Sequence, residues 1–84
     1  MCTALSIKTT DNKYFFGRNM DLSYNFNQSV MFIPKNYTCQ NLIAKNDVIG
    51  MGTVIDSHPM LADGMNDKGL ACAGLNFAGN AYYE

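Results

Sequence analysis

Charge, histidine and paired cysteine motifs are all scarce in this chain. Charged residues make up 15% of its 84 positions, and six Lys and Arg stand against seven Asp and Glu for a net charge of -1. An ordinary soluble domain carries roughly 25% charge. Without a basic excess or a Lys/Arg cluster there is little to neutralise phosphate, so neither a nucleic-acid partner nor polybasic membrane attachment is expected. The one histidine, His58, has no second imidazole, and Cys2, Cys39 and Cys72 form no CxxC pair. No zinc site and no other metal are expected from such a set. An odd number of unpaired cysteines fits a reducing, cytoplasmic setting. Long apolar runs are missing too: the longest uncharged stretch, Gly69 to Tyr83, contains Asn76 and Asn80, whereas a spanning helix needs roughly 20 apolar residues. The opening MCTALSIKTT has no basic region followed by an apolar one, so no secretory leader is expected. Gly50-Met51-Gly52 lacks the third glycine of a dinucleotide fingerprint. No long amphipathic helix, internal repeat or low-complexity tract is visible.

What is present points to strands. The hydrophobic fraction of 48% argues for a folded chain, and the length allows at most one small domain or a part of one. Residues 2–9 alternate with period 2, and Tyr14 to Asp21 is aromatic-rich. Asp11-Asn12 between them supplies two-residue turn chemistry, which predicts a β-hairpin. Val30 to Ile33 reads as a short strand stopped by Pro34, and 35–46 as a surface connection. Asp47 to Val54 reads as a strand thinned by Gly50 and Gly52, followed by a loop through His58-Pro59. A second hairpin is predicted from Pro59–Asp63 and Leu70–Phe77, joined by residues 64–69. About six strands without a covering layer, and an ending at NAYYE directly after an apolar strand, read as the opening third or so of something larger.

Cys2 is the first residue with chemical promise. Removal of Met1 leaves a cysteine whose α-amine, with an ordinary pKa of about 7.7–8.0, can take the proton of a thiol near 8.5. Taken alone, Cys2 reads first as a small apolar residue, as do Cys39 and Cys72, which are expected to be buried. A two-residue turn pairs Thr10 with Lys13 and brings Cys2 opposite Asp21, whose carboxylate would then hold the α-ammonium. Arg18, three residues from Asp21, would point to the other face unless the strand bulges. The other constellation is Asp63-Gly64-Met65-Asn66 with Gly69-Leu70 and Gly74-Leu75-Asn76-Phe77. Its Asn76 can offer an N–H to a developing oxyanion, or can simply be a strand residue.

Five segments, MCTAL at 1–5, FGRNMDL at 16–22, FNQSVMFIPKNY at 26–37, VIGMGTV at 48–54 and ADGMNDKGLACAGLNF at 62–77, together resemble the N-terminal part of the choloylglycine hydrolases. That family comprises bile salt hydrolases and penicillin V acylases. The resemblance implies an α+β fold, the N-terminal nucleophile hydrolase αββα sandwich. Residues 1–84 would be the N-terminal fragment of that single domain and supply mainly antiparallel β-strands. It implies Cys2 as nucleophile, Arg18 beside the thiol, Asp21 on the α-amine and Asn76 in the oxyanion hole, with Met20, Ile55 and Ala62 lining a steroid pocket. Penicillin acylases of the family tend to carry Tyr where Asn76 stands, so a bile salt hydrolase is expected, cleaving glycine- or taurine-conjugated bile acids without a cofactor. The alternatives are a penicillin V acylase and an inactive fragment that acts only as a β-sheet interaction module. The family also implies a further Asn and Arg beyond residue 84 and a homo-oligomer, a tetramer, when full length.

Overall fold

The computed structural model describes residues 2–21, 24–75 and 79, and among them there are nine strands and no helix. They fall into two compact units, Met1–Tyr24 with Ala73–Glu84, and Asn25–Cys72.

In the first unit, Thr9 sets the hairpin. Its N–H donates to the Lys13 carbonyl at 2.8 Å and its carbonyl accepts the Asn12 N–H at 3.1 Å. Its hydroxyl accepts the Lys13 N–H at 3.0 Å and donates to the Asp11 carboxylate. Asn12 sits at φ 65°, the left-handed conformation that Asn tolerates better than most residues. The connection is therefore three residues, Thr10-Asp11-Asn12, a length that characteristically ends in a left-handed residue. Strands β1 (Thr3–Lys8) and β2 (Tyr14–Asn19) are antiparallel as expected, with Thr3 opposite Asn19 and Lys8 opposite Tyr14. The predicted two-residue turn is corrected: paired numbers sum to 22, because the Thr9 side chain bonds the Lys13 N–H and holds one more residue in the loop.

The second unit is built around one long strand. In chain order it holds β3 (Ser29–Ile33), the ribbon β4 (Thr38–Cys39) and β5 (Leu42–Ile43), β6 (Val48–Ile55), β7 (His58–Leu61) and β8 (Asp63–Asn66); β9 (Ala71–Ala73) follows at its boundary. The eight residues of β6 pair with β3 along one edge and with β7 and then β8 along the other, and β9 lies beside β8. Residues 35–46, expected to be a plain connection, contain the β4–β5 ribbon, with Gln40 at φ 54° in its turn. The loop expected through His58-Pro59 is also corrected. Ile55 pairs with His58 across Asp56 and Ser57, both at positive φ (50° and 65°), the tight primed turn whose twist matches that of paired strands. The last hairpin is corrected as well: Pro59–Leu61 pairs with β6, so the partner of β9 is β8 and the connection is shorter than residues 64–69, with Asn66 N–H donating to the Leu70 carbonyl at 2.9 Å and Gly69 at φ 87°.

Gly50 and Gly52 on β6 have a steric reason. A Cβ at Gly50 would meet the Asp63 carbonyl oxygen, and one at Gly52 the Met60 carbonyl oxygen. Only glycine lets the β7–β8 backbone come this close. Among the described residues no apolar side chain is buried; Leu42, Val30 and Phe32 keep 75%, 68% and 63% of their surface exposed. A sheet buries its apolar face only against a second layer.

Candidate active site

The termini end of the first hairpin carries the predicted polar residues. Cross-strand partners share a face, and faces alternate along a strand. Ala4 is paired with Arg18, so Arg18 lies on the face of Ala4 and Cys2, diagonal to Cys2. The sum of 22, carried one position past Thr3 and Asn19, brings Cys2 level with Met20 and puts Asp21 one residue further on. Thus the expected Cys2–Asp21 pairing is corrected, and so is the expectation that Arg18 needs a bulge to reach the thiol's face. Both errors come from the one extra turn residue. Cys2, Ala4, Arg18 and Met20 are all half-buried, whereas Thr3, Asn19 and Asp21 are exposed. The ladder closes with the Thr3 N–H donating to the Asn19 side-chain oxygen at 2.6 Å.

Arg18 donates to main-chain carbonyls. Its Nε donates to Asn19 O at 3.2 Å and its Nη2 to Gly74 O at 2.7 Å. Both acceptors suit a planar guanidinium, which has five donors and no need of a carboxylate at every one. The second bond ties β2 to the segment two residues before Asn76; Asn76 itself lies outside the described residues.

In the second unit, Ile55 and Ala62 come together on one sheet face. The alternation of β6 puts Ile49, Met51, Thr53 and Ile55 on that face. Register adds Phe32 and Val30 from β3, His58 and Met60 from β7, and Met65 from β8. Paired numbers sum to 113 between β6 and β7 (Gly52 with Leu61) and to 114 between β6 and β8 (Ile49 with Met65). One extra residue therefore sits between β7 and β8, a β-bulge in which Ala62 and Asp63 both oppose Met51. Ala62 N–H donates to Met51 O at 2.8 Å, and Asp63 Oδ1 accepts the Met51 N–H at 2.9 Å. Asp63 belongs to the second constellation read from the sequence, but its bond to the Met51 N–H follows from the bulge. The bulge is why Met60 and Met65, five apart, share a face.

Of the other cysteines, Cys39 is half-buried with its Sγ 3.5 Å from His58 Nδ1, and Cys72 is exposed, correcting the expectation of a buried thiol there. A shallow groove lined by Phe32, Val48, Ile49 and Met65 lies on the sheet. Among the described residues no three His, Cys, Asp or Glu side chains gather as metal ligands, and no helix is long and apolar enough to cross a membrane.

Comparison with known proteins gives this arrangement its class. Residues 2–84 match the model of the linear amide C–N hydrolases, choloylglycine hydrolase family. A bile salt hydrolase/transferase of Clostridium perfringens is 55% identical over 83 residues, which cover 92% of this chain and 25% of that protein. One of Lactiplantibacillus plantarum is 39% identical over 89 residues, covering 100% and 27%. Among solved structures, the C2A mutant of the conjugated bile acid hydrolase from Clostridium perfringens superposes with a TM-score of 0.90 at 52% identity, over 99% of this chain and 27% of that one. Its R18L variant gives a TM-score of 0.84 at 50% identity, over 93% and 25%. The chain belongs to the choloylglycine hydrolase family. It spans about a quarter of the length of the relatives it matches, and its antiparallel strands agree with the fold expected of that part.

Proposed function

We propose that this chain is the N-terminal part of a single-domain bile salt hydrolase that cleaves the amide of glycine- or taurine-conjugated bile acids through Cys2. Once Met1 is removed, the α-amine accepts the thiol proton and the thiolate attacks the amide carbonyl carbon. The oxyanion is stabilised by donors that include Asn76. The protonated amine then gives its proton to the departing glycine or taurine nitrogen, leaving a choloyl thioester that water hydrolyses. Arg18 orders the site from Cys2's own face, Asp21 balances the α-ammonium, and Met20, Ile55 and Ala62 contact the steroid. The reaction draws on no metal or cofactor. The full-length protein is read as a cytoplasmic tetramer with no nucleic-acid or membrane partner.

The observation that carries this reading is the hairpin register, which gives Cys2 and Arg18 one half-buried face and ties Arg18 to Gly74 O at 2.7 Å. Further support comes from relatives named for bile salt hydrolysis, and from solved relatives substituted at a cysteine numbered 2 and an arginine numbered 18, where this chain has Cys2 and Arg18. The test is steady-state hydrolysis of glycocholate, taurocholate and penicillin V by the full-length protein carrying this segment. Release of glycine and taurine with little penicillin turnover is expected. The reverse preference would make it a penicillin V acylase, and no turnover of any would leave the inert interaction module.

A further inference from the structure

The bulge at Ala62 solves a problem of alternation. In an unbroken strand, Met60 and Met65 would face opposite sides of the sheet, because they are an odd number of residues apart. With one extra residue between β7 and β8, both join Ile55 on one apolar face, where Ile55, Met60 and Met65 stay 53%, 54% and 48% exposed. A bulge disrupts the ladder where it sits. Here the Met51 N–H is taken by the Asp63 side chain at 2.9 Å.

We propose that Asp63 is a positioning residue for binding of the acyl group: by capping Met51 N–H it holds the bulge that keeps Met60, Ala62 and Met65 on Ile55's face. This rests on the reading that Ile55 and Ala62 contact the steroid of a conjugated bile acid. Asp63 acts through the register of β7 and β8, and what it contributes is an acceptor oxygen at one reach, not a charge.

That distinction sets the test. In the full-length protein, Asp63→Asn keeps an acceptor at the same reach without the charge, Asp63→Glu keeps the charge but moves the oxygens one methylene outward, and Asp63→Ala removes both. Hydrogen exchange of the Met51 amide reports the bulge; KM and kcat for glycocholate report the pocket. For Asp63→Ala, exchange at Met51 is expected to speed up by roughly tenfold or more, and KM to rise by about five- to tenfold with kcat within about threefold. Asp63→Glu should follow Ala, and Asp63→Asn should return both readouts to within about threefold of wild type. If Asp63→Ala does not fold, the contrast between Asn and Glu still decides. Faster exchange with an unchanged KM would overturn the proposal, and so would unchanged exchange in both Ala and Glu, or an Asn variant no better than Glu. If wild type itself fails to hydrolyse glycocholate, the functional reading falls, and this shows before any variant is made.

Discussion

The hairpin of the first unit and the sheet of the second each depart from simple period-2 alternation by one residue, but they do so by different means. In the hairpin the extra residue lies in the turn, where Asn12 takes φ 65° and Thr9 bonds the Lys13 N–H with its hydroxyl. Every pair of the ladder shifts together, and the whole of Arg18's face changes with it. In the sheet the extra residue lies mid-strand at Ala62, so the β7 pairs keep one register and the β8 pairs take another. The hairpin thereby sets Cys2 and Arg18 on one face at its open end, while the sheet gathers apolar side chains onto one face. A turn sets which groups meet; a bulge sets which groups line up.

The comparison breaks most visibly at Cys2. In the full-length protein, Cys2→Ala is expected to lower kcat for glycocholate by on the order of 10⁴-fold or more, whereas Cys39→Ala and Cys72→Ala, whose residues carry no free α-amine to act as base, should stay within about threefold. Equal losses at all three would mean that the cysteines serve folding alone. Second in size is Gly52→Ala, whose Cβ would meet the Met60 carbonyl oxygen. Since this neighbour is main chain and cannot rotate away, a loss of about 3 kcal/mol is expected from denaturant unfolding. A loss below about 0.5 kcal/mol would show that β7 approaches β6 less closely than described.

Arg18→Lys sharpens the polar half. Lysine keeps the charge but not the planar fork that serves Asn19 O and Gly74 O together. A charged hydrogen bond contributes about 1.5–3 kcal/mol, so kcat/KM should fall by roughly 10- to 100-fold. Full activity in Arg18→Lys would reduce the residue's role to its charge. The smallest effect belongs to the turn. Asn12→Val puts a β-branched residue at φ 65° and should cost about 1–2 kcal/mol, while Asn12→Gly should change stability by no more than a few tenths. If the two variants unfold alike, the three-residue turn is wrong, and with it the shared face of Cys2 and Arg18.

Most strands were legible because their signal is local: the alternation from Thr3 to Lys8, the run Val30 to Ile33, and the apolar stretch from Val48 to Val54. Register was not legible, because it depends on bonds that composition does not name. Asp11-Asn12 looks like a complete turn until the Thr9 hydroxyl takes the Lys13 N–H and moves Cys2 from Asp21 to Met20. Asp56-Ser57 has no glycine to mark a primed turn, yet both residues adopt positive φ and carry His58 into β7. Gly50 and Gly52 were visible as weak points in a strand, but their reason, the nearby carbonyls of Asp63 and Met60, is tertiary. Cys2, Asp21 and Asn76 were legible as candidates from their own chemistry and placement, and the resemblance added the expected role of Arg18. Geometry has since given Arg18 its face and its carbonyl partners.

The most direct measurement is to find where the acyl group resides during turnover. The full-length protein is mixed with glycocholate, quenched in acid within milliseconds, digested and analysed by peptide mass. The account predicts a peptide that begins at Cys2, without Met1, carrying a choloyl thioester that disappears as glycine release is completed. Glycocholate turnover by a chain that still carries Met1, or with the choloyl group on any other residue, would contradict it.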